Sequence, residues 1–279
     1  MNADSPIRSS PGHPAGDRRF LAPGQRCLPG IYGGVGPLSH TLFEQQVLDA
    51  RRRRGARADQ DHPVWLLVNA SSTPNRMHSL SGEGEPAEPY LRHFTQLLEA
   101  AGADVLFVVC NTAHAYHSSV QADLRIPWVH LMDITVEATL RLVPGVERVG
   151  VLGTDGTLAT GLYERALAQR GLRQIAPALG STEQRAVMAA IFDENWGIKA
   201  TGSNVSARAR DELARLAGWL VDQGAQVVIP ACTEVSVGLT ADTFRAVPLV
   251  DPLDVAADVL LDVAYGIREP EDFRVPARR

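Results

Sequence analysis

Apolar residues fall into two alternating patterns along the chain. Four short runs rich in β-branched residues, VWLLVNA (64–70), VLFVVC (105–110), VGVLGT (149–154) and VVIPAC (227–232), read as buried strands. Near-continuous apolar runs of this length mark strands covered on both faces. Between them, residues 91–101, 158–170 and 206–223 carry apolar positions at helical spacing, as does an amphipathic segment beginning near Leu38. Strands alternating with helices predict an α/β fold, a parallel sheet with helices on both faces. Residues 1–25, rich in Pro, Gly and Ser and without periodicity, are expected to form a flexible arm. The polar stretch RRRRGARADQDH (51–62) reads as the cationic end of a helix, where positive charge suits the macrodipole, rather than as an anion patch.

An internal repeat adds more. GADVLFVVCNT (102–112) and GAQVVIPACTE (224–234) align without gaps, and Cys232 follows Cys110 by 122 positions. Downstream, IPWVHLMDITVEA (126–138) aligns with VPLVDPLDVAA (247–257) at an offset of 121. Upstream, GGVGP (33–37) aligns with GTDGT (153–157) at an offset of 120, each followed by a helical pattern with an aromatic, Phe43 or Tyr163. Three blocks at nearly one offset predict two similar Rossmann-like (flavodoxin-like) lobes related by a pseudo-twofold, with the active site in the cleft between them. The expected partition is 26–131 with 250–270 for the first lobe, 132–249 for the second, and 271–279 as a tail. In open parallel sheets ligands bind beyond the carboxyl ends of the strands, which is where both cysteines and both glycine loops fall.

Composition sets limits on function. With 45% hydrophobic and 21% charged residues the chain reads as an ordinary globular protein. A net charge of −5 argues against nucleic acid or an anionic membrane as the main partner, without excluding an acidic small-molecule substrate. No apolar run approaches bilayer length, and the first twenty residues lack the continuous apolar stretch of a signal peptide. Three cysteines make no disulfide framework and match no common zinc spacing. A reduced, soluble, cytoplasmic protein with no metal site is expected. GGVG does not continue into a dinucleotide fingerprint, and Cys110 with His114 finds no further ligands for zinc. His114 reads as a partner of the Cys110 thiolate or an ordinary polar residue at a helix start.

A free cysteine at a strand end is often only a core residue. Here Cys110 and Cys232 occupy equivalent positions of the repeat, each followed by polar residues, and that favours chemistry; Cys27 has no such counterpart. Two thiols facing one cleft suit racemisation, in which one group removes a proton from a stereocentre and its opposite number returns one. Cations or hydrogen-bond donors beside a thiol lower its pKa from about 8.5. The dipeptides Asn111-Thr112 and Thr233-Glu234 offer side-chain and backbone donors at expected helix starts.

The same segments resemble the aspartate/glutamate racemase superfamily, and within it the aspartate racemase branch. GIYGGVGPLSHTLFEQQVL is similar to the family's opening, CNTAH (110–114) and ACTE (231–234) to its two cysteine motifs, and VGVLGTDGTLATGLYERAL to its second glycine/threonine loop. The resemblance runs from about residue 29 to 265. It implies an amino-acid racemase that needs neither pyridoxal phosphate nor metal, with Cys110 and Cys232 as acid and base, and a homodimer. STPNRM (72–77) resembles the motif whose arginine grips a distal carboxylate, which falls on Arg76; GIKAT (197–201) resembles the segment whose lysine assists, which falls on Lys199. Residues Thr154, Gly156 and Thr157, with Asn111, Thr112 and Thr233, are expected to serve the substrate's α-carboxylate and the developing enolate-like charge, and Glu234 is expected among the substrate-binding residues. The sequence departs from the pattern at Asn75, Met77, Ser39, His40, Pro230 and Ala231, which leaves the substrate more open than the class. Maleate-type cis–trans isomerisation and a carboxylate-binding protein without turnover remain as alternatives.

Overall fold

The structure is a computed structural model, and it describes residues 18–239 and 243–274. Strand β1 (Pro29–Gly33) leads through helix α1 (Pro37–Arg53) to β2 (Leu66–Asn69). Helices α2 (Arg76–Ser81) and α3 (Glu88–Ala100) then precede β3 (Val105–Val108). A 3-10 turn (Thr112–Tyr116), α4 (His117–Gln121) and α5 (Leu131–Leu142) lead into the second half. That half contains β4 (Arg148–Leu152), α6 (Asp155–Ala159), α7 (Leu162–Ala168), β5 (Arg173–Ile175), α8 (Thr182–Phe192) and α9 (Ile198–Thr201). It continues with α10 (Ala207–Asp222), β6 (Val227–Pro230), α11 (Thr233–Gly238), the hairpin β7 (Thr243–Phe244) and β8 (Val247–Pro248), and α12 (Pro252–Ala264).

The strands form two parallel sheets of identical order, β2-β1-β3 and β5-β4-β6. Each is extended by a parallel bridge, Leu106 to Trp128 in the first and Val228 to Leu249 in the second. These bridging pairs are themselves related by the repeat, so the alignment of 126–138 with 247–257 is a structural equivalence. The α/β fold with two similar parallel-sheet lobes is therefore observed. Strands β1, β3 and β6 are buried throughout and β4 all but its first residue; β2, expected from sequence to be buried, alternates half-buried and exposed residues, and β5 is partly exposed, because both stand at sheet edges. One continuous apolar core joins the lobes, with Ile31, Phe43 and Phe107 from the first half packed with Val149, Val151 and Tyr163 from the second, and Leu253 and Leu260 of α12.

Matching glycines seat a helix on each sheet. A Cβ on Gly30 would lie 2.9 Å from that of Ala103 and 3.4 Å from that of Leu98; a Cβ on Gly150 would lie 3.0 Å from Ala225 and 3.2 Å from Leu220. The four neighbours correspond pairwise through the repeat. Gly150→Val is expected to overpack this contact and cost about 1–3 kcal/mol. A urea midpoint unchanged in that variant would contradict the close approach.

Elements differ from the sequence expectation where local geometry intervenes. The segment 158–170 is not one helix: it breaks between α6 and α7 at Gly161, whose φ of +59° only glycine adopts readily. The arginines Arg51–Arg53 form the last turn of α1 with Arg54 as its cap, and Arg52, Arg53 and Arg54 are exposed, so the cationic helix end expected there is observed; two of them also reach another helix. Arg54 pairs with Asp258 at 2.8 Å and Asp262 at 2.6 Å, and Arg53 with Asp254 at 3.5 Å, tying α1 to α12. Of the expected arm, residues 18–20 form a 3-10 turn, and Gln25 is buried against the carbonyls of Cys27 and Val64; residues 1–17 lie outside the described ones, as do 275–279 of the expected tail. No described helix is long and apolar enough to cross a membrane.

Candidate active site

Both cysteines stand two residues past the ends of equivalent strands, Cys110 after β3 and Cys232 after β6, and both line one cavity of about 360 Å³. The first glycine loop forms part of its wall. Gly36 has φ +123°, and a Cβ there would lie 2.8 Å from Glu234 Oε1, so glycine at this point lets the loop of one lobe close over a carboxylate of the other. Of the residues picked out from sequence, Arg76, Lys199, Asn111, Thr112, Thr154, Thr233 and Glu234 line the same cavity. Gly156 and Thr157 do not. Thr157 turns its hydroxyl to Thr112 at 3.0 Å and Thr154 at 3.2 Å, closing a triangle across the lobes. Gly156 packs beneath Met77 and Thr112, where a Cβ would meet carbon atoms at 2.9 and 3.1 Å.

The electrostatics of the second half correct two expectations. Lys199 does not stand free for a substrate carboxylate: its ammonium is ion-paired with Glu234 Oε1. Glu234 is likewise occupied. Its other oxygen receives the Cys232 thiol at 3.0 Å and the Thr233 hydroxyl at 3.3 Å. Burial opposes the charge on Glu234, but Lys199 outweighs it and holds the carboxyl below its ordinary range. Cys232 goes the other way. Burial and then the Glu234 charge push its thiol well above the ordinary value, where a lowered pKa was expected. The resting Cys232 is therefore an S–H donating to a carboxylate, poised as an acid.

Arg76 is placed differently. Its guanidinium donates to the carbonyls of Thr73 at 3.2 Å, Pro74 at 3.0 Å and Val35 at 3.4 Å, and meets no acidic partner among the described residues. Asn111 Oδ1 accepts from Tyr163 at 2.7 Å, and its buried Nδ2 has no partner among the described residues, leaving its two N–H donors for a ligand beside Cys110. The cavity also includes Val35, Pro37, Thr73, Asn75, Met77 and Phe192. Phe192, at the end of α8, carries no sequence signal. A signal for Lys199 exists in its rarity, since it is the only lysine in the chain.

The family described as Asp/Glu/Hydantoin racemase matches residues 33–260, most of the chain and all of this cavity. The chain belongs to that family. It is thus an enzyme of the isomerase class. A broad specificity amino-acid racemase, RacX of Bacillus subtilis, is 26% identical over 225 residues, covering 80% of this chain and 91% of the relative. The fold is shared with an aspartate racemase of Picrophilus torridus (TM-score 0.73, 23% identity, 89% of this chain and 98% of the other). It is shared more distantly with glutamate racemase of Francisella tularensis in complex with D-glutamate (TM-score 0.56, 15% identity, 91% and 85%).

Two buried groups flanking the cysteine loops give opposite pH dependences. Burial pushes the His117 imidazole from 6.5 down to about 4. Below pH 6.5 the unfolded chain takes up that proton and the folded chain does not, so stability falls with pH down to about 4, by about 3 kcal/mol for this group. Burial pushes the Asp251 carboxyl from 3.8 up to about 6, so the folded chain holds the extra proton in that window and stability rises as the pH falls through it. Asp251→Asn removes the second effect alone. Its urea midpoint is expected to fall more steeply between pH 6.5 and about 4 than that of the wild type, and equal slopes would contradict the assignment.

Proposed function

We propose that this isomerase is a cofactor-independent amino-acid racemase in which Cys110 and Cys232 act on opposite faces of Cα. The observation that carries the reading is that two thiols from equivalent points of the repeat line one cavity together with Arg76, a cation without an acidic partner among the described residues. In one direction the Cys110 thiolate takes the α-proton, and the bonding pair passes into an enolate-like carboxylate. Asn111 Nδ2 and the Thr112 hydroxyl are the nearby donors for that charge. The Cys232 S–H then protonates the opposite face and keeps its bonding pair as thiolate. In the reverse direction the roles exchange, with Lys199 offsetting the charge of Cys232 beside Glu234.

The substrate class that fits Arg76 best is a dicarboxylic amino acid, aspartate or glutamate, whose distal carboxylate a guanidinium holds with two parallel hydrogen bonds. A broader range of amino acids is the second reading. It is favoured by the neutralisation of Lys199 by Glu234 and by Met77 and Phe192 in the wall. Chiral chromatography of each enantiomer of aspartate, glutamate, alanine and methionine after incubation with purified protein separates them. Turnover confined to the two acids supports the first reading, comparable turnover of all four supports the second, and inversion of none rejects both.

A further inference from the structure

The turn that carries Cys110 is held from behind by a chain of side chains that the proposed chemistry does not use. The Cys110 carbonyl accepts from His114 Nδ1 at 2.9 Å, and the Cys110 amide donates to Val108 O at 2.9 Å. His114 is buried, and its Nε2 receives the Trp128 indole N–H at 3.1 Å. Nε2 also stands 3.4 Å from the Val129 carbonyl, a longer contact; an indole N–H only donates, so the shorter Trp128 bond is made to a bare Nε2, and the ring proton sits on Nδ1, aimed at the Cys110 carbonyl. Trp128 is itself fixed. It is fully buried on the bridge beside β3, its amide donates to Gln121 Oε1 at 2.6 Å, and its carbonyl accepts from His117 Nε2 at 2.8 Å.

The second lobe lacks this arrangement. Cys232 is the N-cap of α11, and its carbonyl accepts from the amides of Val235 at 2.9 Å and Ser236 at 3.2 Å. The residue equivalent to His114 there is Ser236, whose hydroxyl is turned away to Asp251 at 2.9 Å. Helix amides thus hold one cysteine turn, and an imidazole holds the other.

We propose that His114 is a positioning residue for Cys110: its neutral Nδ1–H form, selected by Trp128, fixes the turn that aims the thiol into the cavity. The inference rests on the two-thiol reading. The titratable groups facing the ring are His117 and His130, with ring centroids at 6.2 and 5.4 Å, and Cys110 itself; Asp133 stands behind His130 at 3.1 Å. Burial, then His130 and His117, hold the imidazole pKa well below its ordinary value, which keeps the ring neutral. Double protonation would place an N–H against the Trp128 N–H and break the chain.

Asparagine and glutamine separate positioning from mere filling of space, because an Asn amide nitrogen reproduces Nδ1 and a Gln amide nitrogen reproduces Nε2. Each is paired with Trp128→Phe, so that no indole donor is left buried and unpaired. His114→Asn/Trp128→Phe is expected to keep kcat within about fivefold, whereas His114→Gln/Trp128→Phe loses about 10- to 100-fold in kcat with KM little changed, as misplacement of a reacting group does. Iodoacetamide labelling of Cys110 and Cys232, followed by peptide mass spectrometry, needs no substrate and so stands apart from the racemase reading. The Gln double variant should change the Cys110 rate severalfold and leave Cys232 unchanged. Equal kcat and equal labelling in the two double variants, or losses that track melting temperature in both, would overturn the proposal. Changed labelling of Cys110 without turnover of any amino acid in the wild type would retain the clamp and reject the racemase.

Discussion

Alanine at either Cys110 or Cys232 is expected to abolish racemisation in both directions. The cavity pairs one thiol from each lobe, and inversion at Cα needs a base on one face and an acid on the other. Deleting one leaves proton transfer on a single face. The loss in kcat is expected to be at least about 10²–10⁴-fold, the range for removing a positioned general acid or base. Folding should change little, because each substitution removes one sulfur atom near a cavity wall and leaves the strands intact. The two variants are not equivalent, however. Cys110→Ala leaves Cys232 hydrogen-bonded to Glu234, with a thiol held well above its ordinary pKa. Cys232→Ala leaves Cys110 and its His114 contact untouched. Each single-thiol protein should still exchange the α-proton of the one enantiomer it faces, and exchange without inversion is the signature expected. Full racemisation by either variant would reject the pair.

Arg76→Met carries the second large effect. Three backbone carbonyls already orient the guanidinium, so little ordering remains to be done when a carboxylate arrives. Losing charge-assisted bonds to a buried carboxylate typically costs 2–5 kcal/mol, so kcat/KM for aspartate and glutamate is expected to fall about 10²- to 10³-fold. Neutral amino acids should change by less than about tenfold. Equal losses for acidic and neutral substrates would instead put Arg76 on the α-carboxylate that all amino acids share. Steady-state kinetics on alanine and aspartate decides between them.

The parts of this molecule that a linear pattern can carry were legible. Strands β3, β4 and β6 are buried on both faces, so they read as apolar runs, and the repeat marks both cysteine loops; the run at 64–70 also reads as a buried strand, but β2 there is a half-exposed edge. Strand β5 was not visible, because Arg173–Ile175 is three residues long and half exposed. The apolar runs extend past the strand ends, since Cys110 and Cys232 belong to the turns that follow β3 and β6. Arg76 and Lys199 were found by resemblance, but not their states. A bond between Lys199 and Glu234 joins residues 35 positions apart on different helices, and no periodicity encodes it. Burial, and after it the Glu234 charge, reversed the expected direction of the Cys232 pKa. A donor-rich motif suggested a stabilised thiolate, and the fold placed a carboxylate on it. His114 lay in a motif read as a thiolate partner, yet its ring reaches the Cys110 carbonyl instead, because Trp128, fourteen residues on, dictates which nitrogen carries the proton.

The most direct test of the two-thiol account is proton NMR of L- and D-aspartate, then L- and D-glutamate, in deuterated buffer with purified protein and no added cofactor. The account predicts that the α-proton signal disappears as the opposite enantiomer accumulates, and that both changes together require Cys110 and Cys232. Retention of the α-proton in all four, by protein shown to be folded and with both thiols reduced, would contradict it.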